Sequence, residues 1–171
     1  CIAKNKFKEA LGAINQMLTF FPNDKMFNDR KKFIEETLEL TEMGKQVGNM
    51  LKEVDDDKKA ALLYALPERL AETQFAEKLR QQFLPPINWP ENSIVYFCGR
   101  GFEKWSPENL KQGIGGSETA VIQLSKEWVK QGYNVVVYGD PQEEGVYDGV
   151  QYLSYWRFNP KDTFDTFIVW R

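Results

Sequence analysis

Two hydrophobic periods divide the chain. Over residues 1–84 apolar positions recur at helical spacing and no alternating run occurs. From about Met26 to Val54 the pattern is one long helix, with Phe33, Ile34, Leu38, Met43, Val47 and Leu51 among its apolar positions. Gly44 and Gly48 within it mark a kink or a close packing contact. Asp55–Leu66 and Pro67–Phe83 read as two further helices, with Pro67 in a first turn that does not need its N–H. Pro85-Pro86-Ile87-Asn88-Trp89-Pro90 then breaks the helical pattern, and three prolines in six residues make a stiff, extended connector. Beyond it come β-branched runs, Ser93–Cys98 and Asn134–Tyr138, with further strands near 150–153 and 166–170. Between the first two, Ala120, Val121, Leu124, Trp128 and Val129 form the apolar stripe of a helix lying on a sheet. The pattern predicts an all-α region over 1–84 and a linker over 85–92. An α/β unit over 93–171 follows, its partial, mostly parallel sheet covered by one helix at about 117–131.

Between that first strand and that helix stands Gly113-Ile114-Gly115-Gly116-Ser117-Glu118. A phosphate approaches bare backbone only where no Cβ intervenes, and a helix start offers unpaired N–H groups and a positive dipole end. Ser117 is expected to cap the helix and Glu118 to favour its dipole. The loop is not a Walker loop, because Gly116 is followed by Ser-Glu rather than Lys-Ser/Thr. Nor is it a full dinucleotide fingerprint: position 118 is Glu, and the 14 residues Gly99–Gln112 separate strand from loop. Asp140 closes the second strand where a ribose-binding acid would stand, which leaves a nicotinamide cofactor open on spacing alone. The plainer reading, glycines that only allow a tight turn and close helix–sheet contact, stays open beside it.

Residues 94–171 resemble the start of the N-terminal, Rossmann-like domain of a family 4 glycosyltransferase of the GT-B fold. The resemblance rests on Tyr96, Phe102-Glu103-x-Trp105-x-Pro107, Gly113 through Ala120 and Gly132-Tyr133-Asn134-Val135. It continues through Val137-Tyr138, Gly145 through Val150 and Phe164-Asp165-x-Phe167-Ile168-x-Trp170-Arg171. It implies transfer of a sugar from a nucleotide-sugar donor to a glycan, lipid or protein acceptor, with retention and without a required metal or cofactor. It also implies that Gly113, Gly115, Gly116, Ser117 and Glu118 bind substrate. In such enzymes a second domain holds most donor contacts, so this chain alone is expected to be inactive. The first residues resemble the second half of a tetratricopeptide repeat: Phe7, Ala10 and Leu11, then Ile14, Met17 and Leu18, closed by Pro22. An amphipathic helix ending in a Pro-Asn turn accounts for the same residues.

Composition narrows the chemistry. The 171 residues, 42% hydrophobic, suffice for one ordinary core or two small ones. Lys and Arg number 22 against 25 acids, a balance that argues against a nucleic-acid partner. No apolar run reaches the length of a membrane span, and none reads as a signal peptide. Cys1 and Cys98 are the only cysteines, which points to a reducing cytoplasm rather than a disulfide scaffold. The absence of histidine removes the commonest general base and metal ligand, and no catalytic residue is assigned. Asp55-Asp56-Asp57 reads as a helix start rather than a metal site. Trp89 and Trp105 are expected to anchor linker and loop to the core, with stacking on a sugar or base as the alternative. The competing function is a helical scaffold that binds a protein partner and carries the α/β part as a passenger.

Overall fold

The computed structural model describes residues 2–170, with side chains from Lys6 onward. The chain divides into two compact units, Cys1–Phe83 and Leu84–Arg171.

The first unit is helical throughout its described residues. Helices α1 (Ile2–Phe20) and α2 (Lys25–Glu53) flank a short turn and pack on one another as a helical hairpin. Asp24 starts α2: its side chain accepts the Phe27 N–H at 3.0 Å, satisfying one of the donors a helix start leaves unpaired. Three shorter helices follow, α3 (Asp56–Tyr64), α4 (Glu68–Ala71) and α5 (Gln74–Phe83). The single helix expected over Pro67–Phe83 is thus broken at Glu72–Thr73. Thr73 donates its hydroxyl to the Leu70 carbonyl at 2.7 Å and accepts the Ala76 N–H at 3.2 Å. Such local side-chain bonds compete with helix propagation and start a new helix instead. Leu51, Leu63, Ala71 and Ala76 form the driest part of this unit's core. No second copy of the α1–α2 pair occurs among the described residues, and α2 runs for 29 residues.

The second unit is mixed α/β. Its strands are β1 (Ser93–Phe97), β2 (Asn134–Gly139), β3 (Gly145–Tyr147), β4 (Val150–Ser154) and β5 (Thr166–Val169), with α6 (Gly116–Lys130) between β1 and β2. The sheet order is β3-β4-β2-β1-β5. β1 pairs in parallel with β2 and β5, β2 in parallel with β4, and β3 lies antiparallel on β4. The sequence reading has no counterpart of β3. Its signal is Asp148-Gly149, both at positive φ (51° and 81°) between the paired residues Tyr147 and Val150. That is the two-residue turn whose twist matches a hairpin.

Both faces of the central strands β1 and β2 are dry, as parallel strands require. On one face Val121 and Ile122 of α6 pack on Ile94, Tyr96, Val135 and Val137. The Trp128 indole N–H donates to the Tyr96 phenol at 3.0 Å, fastening helix to sheet. Burial raises the pKa of that phenol. The other face has aromatic loops in place of a helix: Phe158, Phe164 and Trp89 cover Val95, Val136 and Tyr138. Within the proline-rich segment, Ile87–Trp89 runs alongside Thr163. The Trp89 N–H donates to the Thr163 carbonyl and the Thr163 N–H to the Ile87 carbonyl, each at 3.0 Å.

Candidate functional site

Strand order sets where a site can form in this sheet. From β1 the chain moves to β2 and β4 on one side, then returns to β5 on the other. The order therefore reverses beside β1, and open α/β sheets hold their ligands at such a reversal, outside the carboxyl ends of the strands. A cavity of about 400 Å³ lies there. Cys98 and Gly99 come from the end of β1, Val169 and Trp170 from the end of β5, Ser117 and Glu118 from the first turn of α6. Arg100, Phe102 and Trp105 of the intervening loop complete the wall. A more open hollow of about 620 Å³ lies on the first turns of α2, but its described lining residues all come from that one helix. It lacks the convergence of several elements that small-molecule sites use.

The helix start is built without a side-chain cap. Gly115 is the N-cap residue and makes no capping side-chain bond. The first backbone bonds of α6 include Thr119 N–H to the Gly115 carbonyl at 3.0 Å. This places Ser117 at the second position of the helix, so the expected Ser117 cap does not form. The Ser117 hydroxyl instead accepts the Trp170 indole N–H at 2.8 Å, tying the first turn of α6 to the end of β5. Glu118 stands in the first turn, where a carboxylate favours the dipole's positive end. A Cβ on Gly115 would collide with the Glu118 carboxylate, whereas one on Gly116 would meet nothing within 4 Å. Gly113 has a φ of +86°, which a side chain would strain. Of the five predicted site residues, Ser117 and Glu118 line the cavity, whereas Gly113, Gly115 and Gly116 do not; Gly115 is the N-cap and Gly116 the first residue of α6.

The loop between β1 and α6 is pinned in its middle. Trp105 is buried, and its N–H donates to the Asp140 carbonyl at 2.9 Å. Ser106 and Asn109 close a capping box on the short 3₁₀ turn Pro107–Lys111. Trp105 is thus an anchor, and so is Trp89, packed under the sheet's second face. Asp140 is buried at the end of β2 and does not line the cavity. Cys98, at the end of the first β-branched run, does line it. Burial, reinforced by the Glu118 charge, pushes its thiol up to about 12. It is therefore a neutral thiol at physiological pH, without the thiolate a nucleophile needs. Arg100, Phe102 and Trp170 complete the cavity but were not singled out as site residues. Gly99 and Gly101, which bend the chain straight after β1, are the signal that points to the first two.

Among the described residues no group of three His, Cys, Asp or Glu side chains could hold a metal ion. No described helix is long and apolar enough to cross a membrane. No family model matches the chain, and neither does any curated protein or solved structure.

Proposed function

We propose that the second unit is the N-terminal, Rossmann-like part of a GT-B glycosyltransferase resembling family 4. In this reading it moves a sugar from a nucleotide-sugar donor to a glycan, lipid or protein acceptor, with retention. The observation that carries the reading is the cleft at the reversal of strand order, bordered by a helix start that lacks a side-chain cap. The N–H groups of Gly116, Ser117 and Glu118 would face the donor phosphates, and the open space at Gly116 admits them. As the sugar leaves, charge grows on the departing phosphate, and fixed N–H dipoles lower the energy of that state without reorganising. A second domain would close the other wall of the cleft, so that this chain alone turns over no donor. The cytoplasmic setting and the tetratricopeptide-like character of the helical region belong to the same proposal.

Isothermal titration of the 171-residue chain with UDP-glucose, GDP-mannose and ADP-glucose tests it. At least one is expected to bind, and Gly116→Val should abolish binding while leaving the thermal melt unchanged, because its Cβ meets no protein atom. Binding that the variant retains unchanged would refute the proposal. A second reading, a helical scaffold for a protein partner, is favoured by Phe20, Met26 and Phe33, exposed at 76%, 59% and 58%.

A further inference from the structure

Four aromatic rings border the cleft, and the protein itself occupies three of them; Phe97 lies against Phe158, with centroids 5.0 Å apart. Trp105 is 5% exposed and sets its ring edge-on to Tyr152, with centroids 6.2 Å apart. Trp170 gives its indole N–H to Ser117 and lies edge-on to Tyr96 at 6.4 Å. Phe102 differs. It is fully exposed, and it forms no ring pair with any described residue. Single exposed hydrophobic residues are common on proteins and need no explanation, but the backbone around this one is shaped to present it. Gly99 has a φ of +68°, and a Cβ on Gly101 would come within 2.6 Å of the Glu103 carbonyl oxygen. Both bends are open to glycine and closed to most other residues, and Trp105 locks the loop immediately afterwards.

The polar groups of the same cavity decide what such a ring would meet. Arg100, Ser117 and Glu118 line it, so a cation, a hydroxyl and a carboxylate face the same space. A carboxylate accepts hydrogen bonds and donates none, so it suits the hydroxyl groups of a ligand whose phosphates lie elsewhere along the helix start. An aromatic face carries negative charge density and attracts the weakly positive C–H edge of a saturated ring. A ring face and a carboxylate in one cavity suit a pyranose, which offers C–H groups on its face and hydroxyls around its rim. We infer that Phe102 and Glu118 form a pyranose-recognition subsite, with Phe102 under the sugar face and Glu118 accepting from its hydroxyls. The inference rests on the proposal that this cleft is the ligand site, and it names the part of the ligand that these two residues hold.

Saturation-transfer NMR on the 171-residue chain, with methyl α-glucoside, methyl α-mannoside and N-acetylglucosamine as probes and uracil as the flat control, tests it. At least one pyranose should receive saturation on its ring-face protons. Phe102→Ala should lower that signal by ~5-fold, the size of one aromatic contact. Phe102→Tyr should keep the signal and Glu118→Gln should reduce it. Phe102 is fully exposed, so its variants should melt with the parent. The inference is overturned if no pyranose is saturated, if the signal survives Phe102→Ala, or if uracil shows the same dependence on Phe102. Nucleotide-sugar binding that Gly116→Val abolishes, with no pyranose signal that depends on Phe102, would sink this inference alone. A pyranose signal that depends on Phe102, with nucleotide-sugar binding that Gly116→Val leaves unchanged, would sink the transferase reading alone.

Discussion

The helical unit and the α/β unit are similar in length but bury very different shares of their residues. No described residue of α1 is buried, and α2 buries only Ile34, Gly44 and Leu51 among its 29. In the α/β unit β2 buries five of its six residues and β1 four of its five. The cause is geometric. A surface helix offers one apolar stripe to its neighbours, while a central parallel strand is covered on both faces. Regions with few buried contacts open locally at lower free energy than core strands. The helical unit, and α1 above all, is therefore expected at the labile end of this molecule, and the sheet around β1 and β2 at the protected end.

The largest test of that contrast removes one wholly buried side chain from each unit. Leu63 and Ile122 are both 0% exposed. Leu63→Ala and Ile122→Ala should each cost about 2–5 kcal/mol of the stability of their own unit. Amide hydrogen exchange resolved along the chain should show faster exchange over residues 2–83 for the first and over 84–170 for the second. Uniform loosening of the whole chain by either variant would break the comparison.

A smaller effect comes from two glycines with similar clearances. A Cβ on Gly139 would lie 2.9 Å from Trp105, and one on Gly44 would lie 2.8 Å from Phe75. Trp105 is 5% exposed and held by its packing on Tyr152, whereas Phe75 is 43% exposed and can swing into solvent. Gly139→Ala should thus cost about 1–3 kcal/mol through overpacking. Gly44→Ala should be close to neutral, since alanine in a helix interior recovers about 1 kcal/mol over glycine. Urea titration of the two variants checks this, and equal losses would show Phe75 to be as firmly held as Trp105.

The smallest effect is a pH slope in the α/β unit. Asp162 is buried, and its Oδ1 accepts the Ile87 N–H at 2.7 Å. Burial raises its pKa, and the backbone N–H bonds from Ile87 and Asn159 only partly oppose that. A raised carboxyl pKa means that the native state holds more protons than the unfolded one. The associated stability is then present at low pH and is lost as pH climbs from the usual carboxylate range through the native value. Asp162→Asn keeps a carbonyl acceptor for Ile87 and removes the charge, so the slope in that window should flatten. Thermal melts from pH 3 to 7 measure it, and an unchanged slope would assign the dependence to other groups.

Much of the element pattern was legible because it is local. Continuous apolar, β-branched runs mark β1 and β2, and the stripe through Val121 and Trp128 marks α6. The misses are equally physical. β3 is three residues long, too short for any period to register, and only its Asp148-Gly149 turn could have announced it. The break before α5 rests on one threonine that prefers its own backbone bonds to the helix. Of the site, the sequence located the glycine loop at the start of α6 but not the company it keeps.

The chain's own pattern of side chains thus determined where helices and strands run and where the hydrophobic period changes, because those preferences act over a few residues. Tertiary structure alone decided the order in which β1 stands between β2 and β5, and hence the cleft. It also decided that Trp170 would fasten Ser117, 53 residues away along the chain, while Phe102 would stand open to solvent. Such pairings depend on which distant segments share a sheet edge. Pairing energy between remote residues leaves no periodic mark in sequence.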